Sequence, residues 1–174
     1  MKIEVVERQP VIVAALRYTG PFGEPLNRFW RHTVAPQLAD HGLLDCPRYG
    51  VALDNPMNTP LDKCRHDACI ELSPGLSLPG SVQTTIAGGR YAITHFKGTG
   101  AAIGAAWSEF IGATLADAAN RPDWRRPMFE HYPRGSSRER PSAAPPHRQV
   151  RRRPRSSERM EIAHRAAVGR SART

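Results

Sequence analysis

The chain has 174 residues and a formal charge of +9 at neutral pH, room for one domain with a real core and too little for two. No run approaches the roughly 20 apolar residues of a membrane span, and Met1-Lys2-Ile3-Glu4 lacks the character of a secretory leader, so a cytoplasmic protein without a membrane partner is expected. Cys46, Cys64 and Cys69 are odd in number and too few for a disulfide framework, which leaves reduced thiols.

The first strand signals are Ile3 to Arg8 and Val11 to Tyr18, rich in β-branched residues around Pro10. They read as one long strand bent at a bulge, because proline cannot donate to a ladder. After Thr19-Gly20-Pro21-Phe22-Gly23 the period changes. Leu26, Phe29 with Trp30, Val34 and Leu38 predict a helix with one apolar face, kinked near Ala35 by Pro36 and closed at Asp40-His41-Gly42. Tyr49 to Asp54 and His66 to Leu72 are the next strands, joined by a proline-rich loop.

A looser copy follows. Val82 to Ala87 and Tyr91 to Phe96 flank Gly88-Gly89, and Ile103, Ala106, Trp107, Phe110, Ile111 and Leu115 mark a second amphipathic helix. Sliding Tyr18-Thr19-Gly20 onto Phe96-Lys97-Gly98 also lays Phe29 on Trp107, and Met128 to Tyr132 takes the place of Tyr49 to Asp54. An internal duplication of a β-α-β-β unit accounts for this order.

The duplication calls for one more strand, and Ser142 to Arg153 cannot supply it: prolines and repeated arginines deny it a ladder and an apolar face. Residues 1–133 hold 13 Lys/Arg against 13 Asp/Glu, whereas 134–174 hold 12 Arg against Glu139, Glu158 and Glu161, with no aromatic residue. The excess charge therefore belongs to the tail. The expected division is a domain over 1–133 and a disordered Arg/Pro/Ser/Ala-rich tail over 134–174, with a weak exposed helix at Ser156 to Ala167. The tail's bias is that of GC-rich DNA read out of frame, which predicts an apolar strand of about eight residues in another frame downstream of Gly135. Arg148 to Arg155 suit only non-specific attraction to nucleic acid, since no aromatic is present for base stacking.

Arg17-Tyr18-Thr19-Gly20-Pro21-Phe22-Gly23, Tyr49-Gly50-Val51, Asp54-Asn55-Pro56, Cys64 to Cys69, Gly88-Gly89-Arg90-Tyr91-Ala92 and Phe129-Glu130-His131-Tyr132 together resemble the GyrI-like family over Met1 to about Pro133. The family includes a bacterial DNA gyrase inhibitor and the effector-binding domains of AraC-type and multidrug-sensing regulators. The resemblance implies an α+β fold of tandem β-α-β-β repeats about a pseudo-two-fold axis with a ligand cleft between them. Here the last strand of the second repeat is expected to be replaced by the tail. His66 stands where the family commonly has tyrosine, and no helix-turn-helix precedes Met1, so a role in transcription regulation implies a DNA-binding regulator as partner.

Glu130 corresponds by this resemblance to the pocket glutamate that meets cationic, aromatic ligands. A carboxylate among aromatic walls is poorly solvated, so a guest cation gains electrostatic and cation–π energy there. Trp107, Phe110, Tyr91, Trp30, Phe22 and Tyr132 are the expected wall, with Tyr18 and Tyr49 added by symmetry. The leading function is binding of a small lipophilic or cationic ligand as a sensor or sequestering protein. Contact with DNA gyrase is second, and hydrolysis of strained electrophiles, with Glu130 as base on water, is third. In an extended Cys64 to Cys69, Cys64 and His66 face away from Cys69, so neither a metal nor a cofactor is expected, and Arg65 and Asp67 are assigned to ion pairs.

Overall fold

The computed structural model describes residues 1–117, 122–136 and 158–166. One eight-stranded sheet, antiparallel throughout, is built from β1 (Glu4–Arg8), β2 (Val11–Thr19), β3 (Arg48–Ala52), β4 (Arg65–Glu71), β5 (Val82–Ile86), β6 (Gly89–Gly98), β7 (Met128–Tyr132) and β8 (Glu158–Arg165). The order is β1-β6-β8-β7-β3-β4-β2-β5. Exchanging β1 with β5, β2 with β6, β3 with β7 and β4 with β8 reverses that order, which is the two-fold symmetry of a duplicated unit.

The strand pair that opens the first repeat is not a single bent strand. β1 pairs with β6 of the other half while β2 pairs with β4 and β5, so the chain changes partner at Gln9-Pro10. Pro10 has no N–H to keep it in a ladder. The matching link packs against this one: a Cβ on Gly88 would lie 2.8 Å from the Arg8 carbonyl oxygen and from Pro10. Only glycine permits the two links to touch.

The first helix spans α1 (Glu24–Phe29), a π turn (Trp30–Val34) and α2 (Ala35–Asp40). Pro36 cannot donate to the carbonyl four residues back, and the strain is absorbed ahead of it, where the Ala35 N–H reaches Trp30 O. Leu43 N–H closes on Leu38 O at 2.8 Å past Gly42, a glycine C-cap. The second helix, α3 (Ile103–Ala116), is regular.

Side chains alternate between two faces of the sheet. On the helical face, Leu16, Val34, Leu38 and Ile70 form one core under α2, while Ala92, Ala106, Phe110 and Ile162 form another under α3. The other face curls over Val13, Tyr49, Tyr91, Ile93, Phe129 and Ala163, with Val6 and Ile86 brought in by the edge strands.

The missing-strand expectation is corrected here, because Glu158–Arg165 is the counterpart of β4. It pairs with β6 from Tyr91↔Arg165 to Gly98↔Glu158 and with β7 at Phe129↔Ala163, Glu130↔Ile162 and His131↔Glu161. The frame as given therefore supplies the eight-residue strand, and the same segment is not the weak helix read between Ser156 and Ala167. Period two, not 3.6, organises it: Met160, Ile162 and His164 are buried on one side and Ala163 lies under Phe129 on the other. Helix propensity yields to two flanking ladders. The remainder of the expected tail, 137–157 and 167–174, with Arg148 to Arg155, lies outside the described residues. Among the described residues no helix is long and apolar enough to cross a membrane.

Candidate functional site

The pseudo-two-fold axis passes between β3 and β7, where Gly50 is directly opposite Glu130. Phe129 faces the curled core, so Glu130 alternates onto the helical face, between the two helical segments. The half-buried Glu130 carboxylate takes the space a side chain on residue 50 would need: a Cβ built on Gly50 would lie 2.5 Å from Glu130 Oε2 and 3.1 Å from His66 Nε2. A glycine within a strand marks such a close approach. Gly50 was visible in the Tyr49-Gly50-Val51 motif, but sequence reasoning did not place it in the site.

From above, Trp107 of α3 donates its indole N–H to Glu130 Oε1 at 2.7 Å. The Tyr132 hydroxyl, two residues along β7, donates to Oε2 over 3.4 Å. The Trp30 ring, on the π turn of the first helix, tilts against Tyr132 at 6.3 Å and meets His66 edge-on at 6.3 Å. Phe22 meets His66 as well, also edge-on, at 5.9 Å. Both repeats therefore contribute rings to one cluster: Trp107 and Tyr132 from the second reach the carboxylate, and Trp30 and Phe22 from the first pack on Tyr132 and His66.

His66 and Arg48 are site residues the sequence did not single out. Burial holds the His66 imidazole neutral, pushing its pKa down to about 4, and its Nδ1 has no hydrogen-bond partner among the described residues. Its place in the family's tyrosine position was the available signal. Arg48, opposite Tyr132 in the ladder, lays its guanidinium over the Tyr132 ring at 5.9 Å although it is itself buried.

The other expected wall residues are elsewhere. Tyr49 and Tyr91 alternate to the opposite face, where they pack around Phe129 at 5.8 and 5.3 Å. Phe110 is fully buried between α3 and Ile162, one turn below Trp107. Tyr18 is opposite His66 in the β2–β4 ladder, but its hydroxyl donates to Pro21 O at 2.9 Å and its ring leans on Phe29. Helical spacing alone does not distinguish the wall from the core on α3. Cys69 belongs to the curled core on the face away from His66. Asp67 pairs with Arg17, Nε to Oδ1 2.5 Å, and Arg65 with Asp54, Nε to Oδ2 2.8 Å, the ion pairs assigned to that segment.

A tandem β-α-β-β scaffold with one acid held among rings at its symmetry axis defines a ligand-binding module. Residues 1–143 match the GyrI-like small molecule binding domain, and the chain belongs to that family. A DNA gyrase inhibitor of Enterobacter lignolyticus (strain SCF1) is 26% identical over 140 residues, covering 76% of this chain and 85% of its own. The fold is similar to that of SAV2435 bound to tetraphenylphosphonium, with a TM-score of 0.63 at 14% identity over 96% of this chain and 94% of the other. It is likewise similar to the EcmrR C-terminal domain, with a TM-score of 0.66 at 12% identity over 96% and 98% of the two chains. β8 lies beyond the matched residues, so its pairing rests on the structure alone.

Proposed function

We propose that the chain is an effector-binding module that takes a small lipophilic cation between its two helices. In this reading Glu130 is the counter-charge and Trp107, Tyr132, Trp30 and Phe22 are the wall, and the module serves as a sensor or a sequestering protein in transcription regulation. The observation that carries this reading is the Glu130 carboxylate held over Gly50 beneath the Trp107 indole. In water an isolated charge pair at contact is weak, whereas among rings it is several times stronger, and each ring face adds about 0.5–2 kcal/mol. The Trp107 indole N–H holds Glu130 Oε1 in place for the guest, and a ligand that displaces it gives up a hydrogen bond to a charged group, about 1.5–3 kcal/mol.

Tetraphenylphosphonium titrated into the protein should quench tryptophan fluorescence to saturation, and Glu130→Gln should weaken binding by about tenfold or more, a change of about 1.4 kcal/mol. Unsaturable quenching, or equal affinity in the variant, rejects the assignment. A second reading is supported by the names of the similar relatives: inhibition of DNA gyrase by protein contact. A supercoiling assay that is indifferent to the full chain removes it.

A further inference from the structure

We infer that His66 sets the specificity of the cleft for lipophilic cations whose charge is carried on N–H groups, such as aryl amidines; the inference rests on the reading of Glu130 as the counter-charge. His66 shares its parity in β4 with Ala68 and Ile70, which pack in the core under α2, so its ring is on the helical face with Glu130. Its small neighbours leave it room to lean along the sheet. The partner of His66 in β3 is Ala52, and two residues back Gly50 is opposite Ala68. Nε2 and Cε1 of the ring thus come within 3.1 and 3.2 Å of the point where a Gly50 Cβ would lie, and Glu130 Oε2 comes within 2.5 Å of the same point. An imidazole nitrogen from the first repeat and a carboxylate oxygen from the second converge above one glycine.

The ionised carboxylate only accepts hydrogen bonds, and the imidazole, kept neutral by burial, retains one nitrogen lone pair. Nδ1 is buried without a hydrogen-bond partner among the described residues, and Nε2 is the ring nitrogen aimed above Gly50. A guest N–H that donates to Nε2 selects the tautomer with its proton on Nδ1. A second N–H of the same amidinium reaches Glu130 Oε2, a charge-assisted bond, while Oε1 keeps its 2.7 Å bond from Trp107. A cation without N–H satisfies the carboxylate's charge but covers Nε2 with apolar groups and leaves it unmet, which carries a desolvation cost. Trp30 and Phe22, both half-buried, meet the imidazole edge-on, and the aryl part of the guest packs among these rings. Phenylalanine at position 66 would preserve those ring contacts and lose the acceptor, so the nitrogen and not the ring is what discriminates.

The test titrates the full chain by calorimetry with biphenyl-4-carboxamidine and with its N,N,N′,N′-tetramethyl derivative, which keeps the charge and the rings but has no N–H. The amidine should bind about tenfold or more tightly than the derivative, the equivalent of one hydrogen bond. His66→Phe should remove that preference by weakening the amidine alone, and His66→Gln, which retains an acceptor, should keep most of it. Glu130→Gln should weaken both compounds. Nitrogen-labelled histidine in the parent chain gives a readout that needs no variant to fold well: the amidine should move the His66 Nε2 signal toward a hydrogen-bonded acceptor, and the tetramethyl derivative should not. Equal affinity for the two compounds in the parent, a preference that survives His66→Phe, or a fixed Nε2 signal at saturation overturns the role of His66 while leaving Glu130 as the counter-charge. Indifference of both compounds to Glu130→Gln, or binding of neither, overturns the reading of the cleft and this inference with it.

Discussion

Gly50→Ala tests the site at its tightest point. The new methyl would meet Glu130 Oε2 at 2.5 Å and the His66 ring at 3.1 to 3.2 Å. The carboxylate is the more movable neighbour, so it must retreat, and in retreating it gives up the 2.7 Å bond from Trp107. Losing a hydrogen bond to a charged group costs about 1.5–3 kcal/mol, whereas replacing a strand glycine by alanine returns about 0.5–1 kcal/mol. A net loss of about 1–2 kcal/mol is expected, together with a shift of the Trp107 indole proton. Urea unfolding of Gly50→Ala in the parent and in a Glu130→Ala background isolates the carboxylate's share, because without it only the milder approach of the His66 ring remains. The coupling should be about 2 kcal/mol. If Gly50→Ala costs the same in both backgrounds, the carboxylate does not occupy the space above residue 50 and the site has been misread.

Acid sensitivity follows from the buried histidines. His66 and His131 both have pKa values lowered from 6.5 to about 4 by burial, reinforced at His131 by Arg8. Below about pH 6.5 the unfolded chain takes up protons that the folded chain refuses, so stability is full above that pH and falls as pH drops toward 4, by up to about 1.4 kcal/mol per pH unit for each group. Urea midpoints at pH 7, 6 and 5 should decline, and His66→Gln should flatten the slope; an unchanged slope would show that His66 does not stay neutral on folding. Ending the chain at Ser136 removes β8, with Met160 and Ile162, two buried side chains of about 1.5–3 kcal/mol each. It also strips ladder bonds from both β6 and β7. The shortened chain should lose its cooperative thermal transition, and retention of a native-like melt would show that β8 does not contribute to the sheet.

Much of this architecture was legible because periodicity reports burial. The helices, β3, β4, β6 and β7 announce themselves through which residues must leave water, and the repeat is visible in the order of those elements. What was not legible is non-local. Pro10 shows that the ladder is interrupted, but nothing near it says that β1 leaves for the opposite half. β8 carries only Met160 and Ile162 as large apolar side chains, and its strand character comes from the two neighbours that enclose it. Of the residues singled out for the site, Glu130, Trp107, Tyr132, Trp30 and Phe22 belong to one cluster on the helical face, whereas Tyr49 and Tyr91 belong to the other face. Fixing which parity of β3 and β6 faces the helices needs the register, and a list of aromatic residues does not contain it.

The axis explains why the site holds one acid and not two. Gly50 and Glu130 are equivalent positions of the two repeats and also cross-strand partners, so any residue type carried at both positions would face its own copy. Directly opposed residues have Cβ atoms about 4.5–5.5 Å apart, and like charges so placed are destabilising. Two glutamates at this point would share a proton or force the strands apart; glycine in one copy frees the space for the other's carboxylate. Gly50→Glu alone should therefore destabilise the protein, with the loss reduced at low pH where one carboxyl is protonated. Gly50→Glu/Glu130→Gly moves the acid across the axis and should recover most of the lost thermal stability, although Trp107 no longer reaches it. A double variant no more stable than Gly50→Glu would mean that the strands tolerate an acid from β7 alone, and that repulsion across the axis is not what made the two halves diverge.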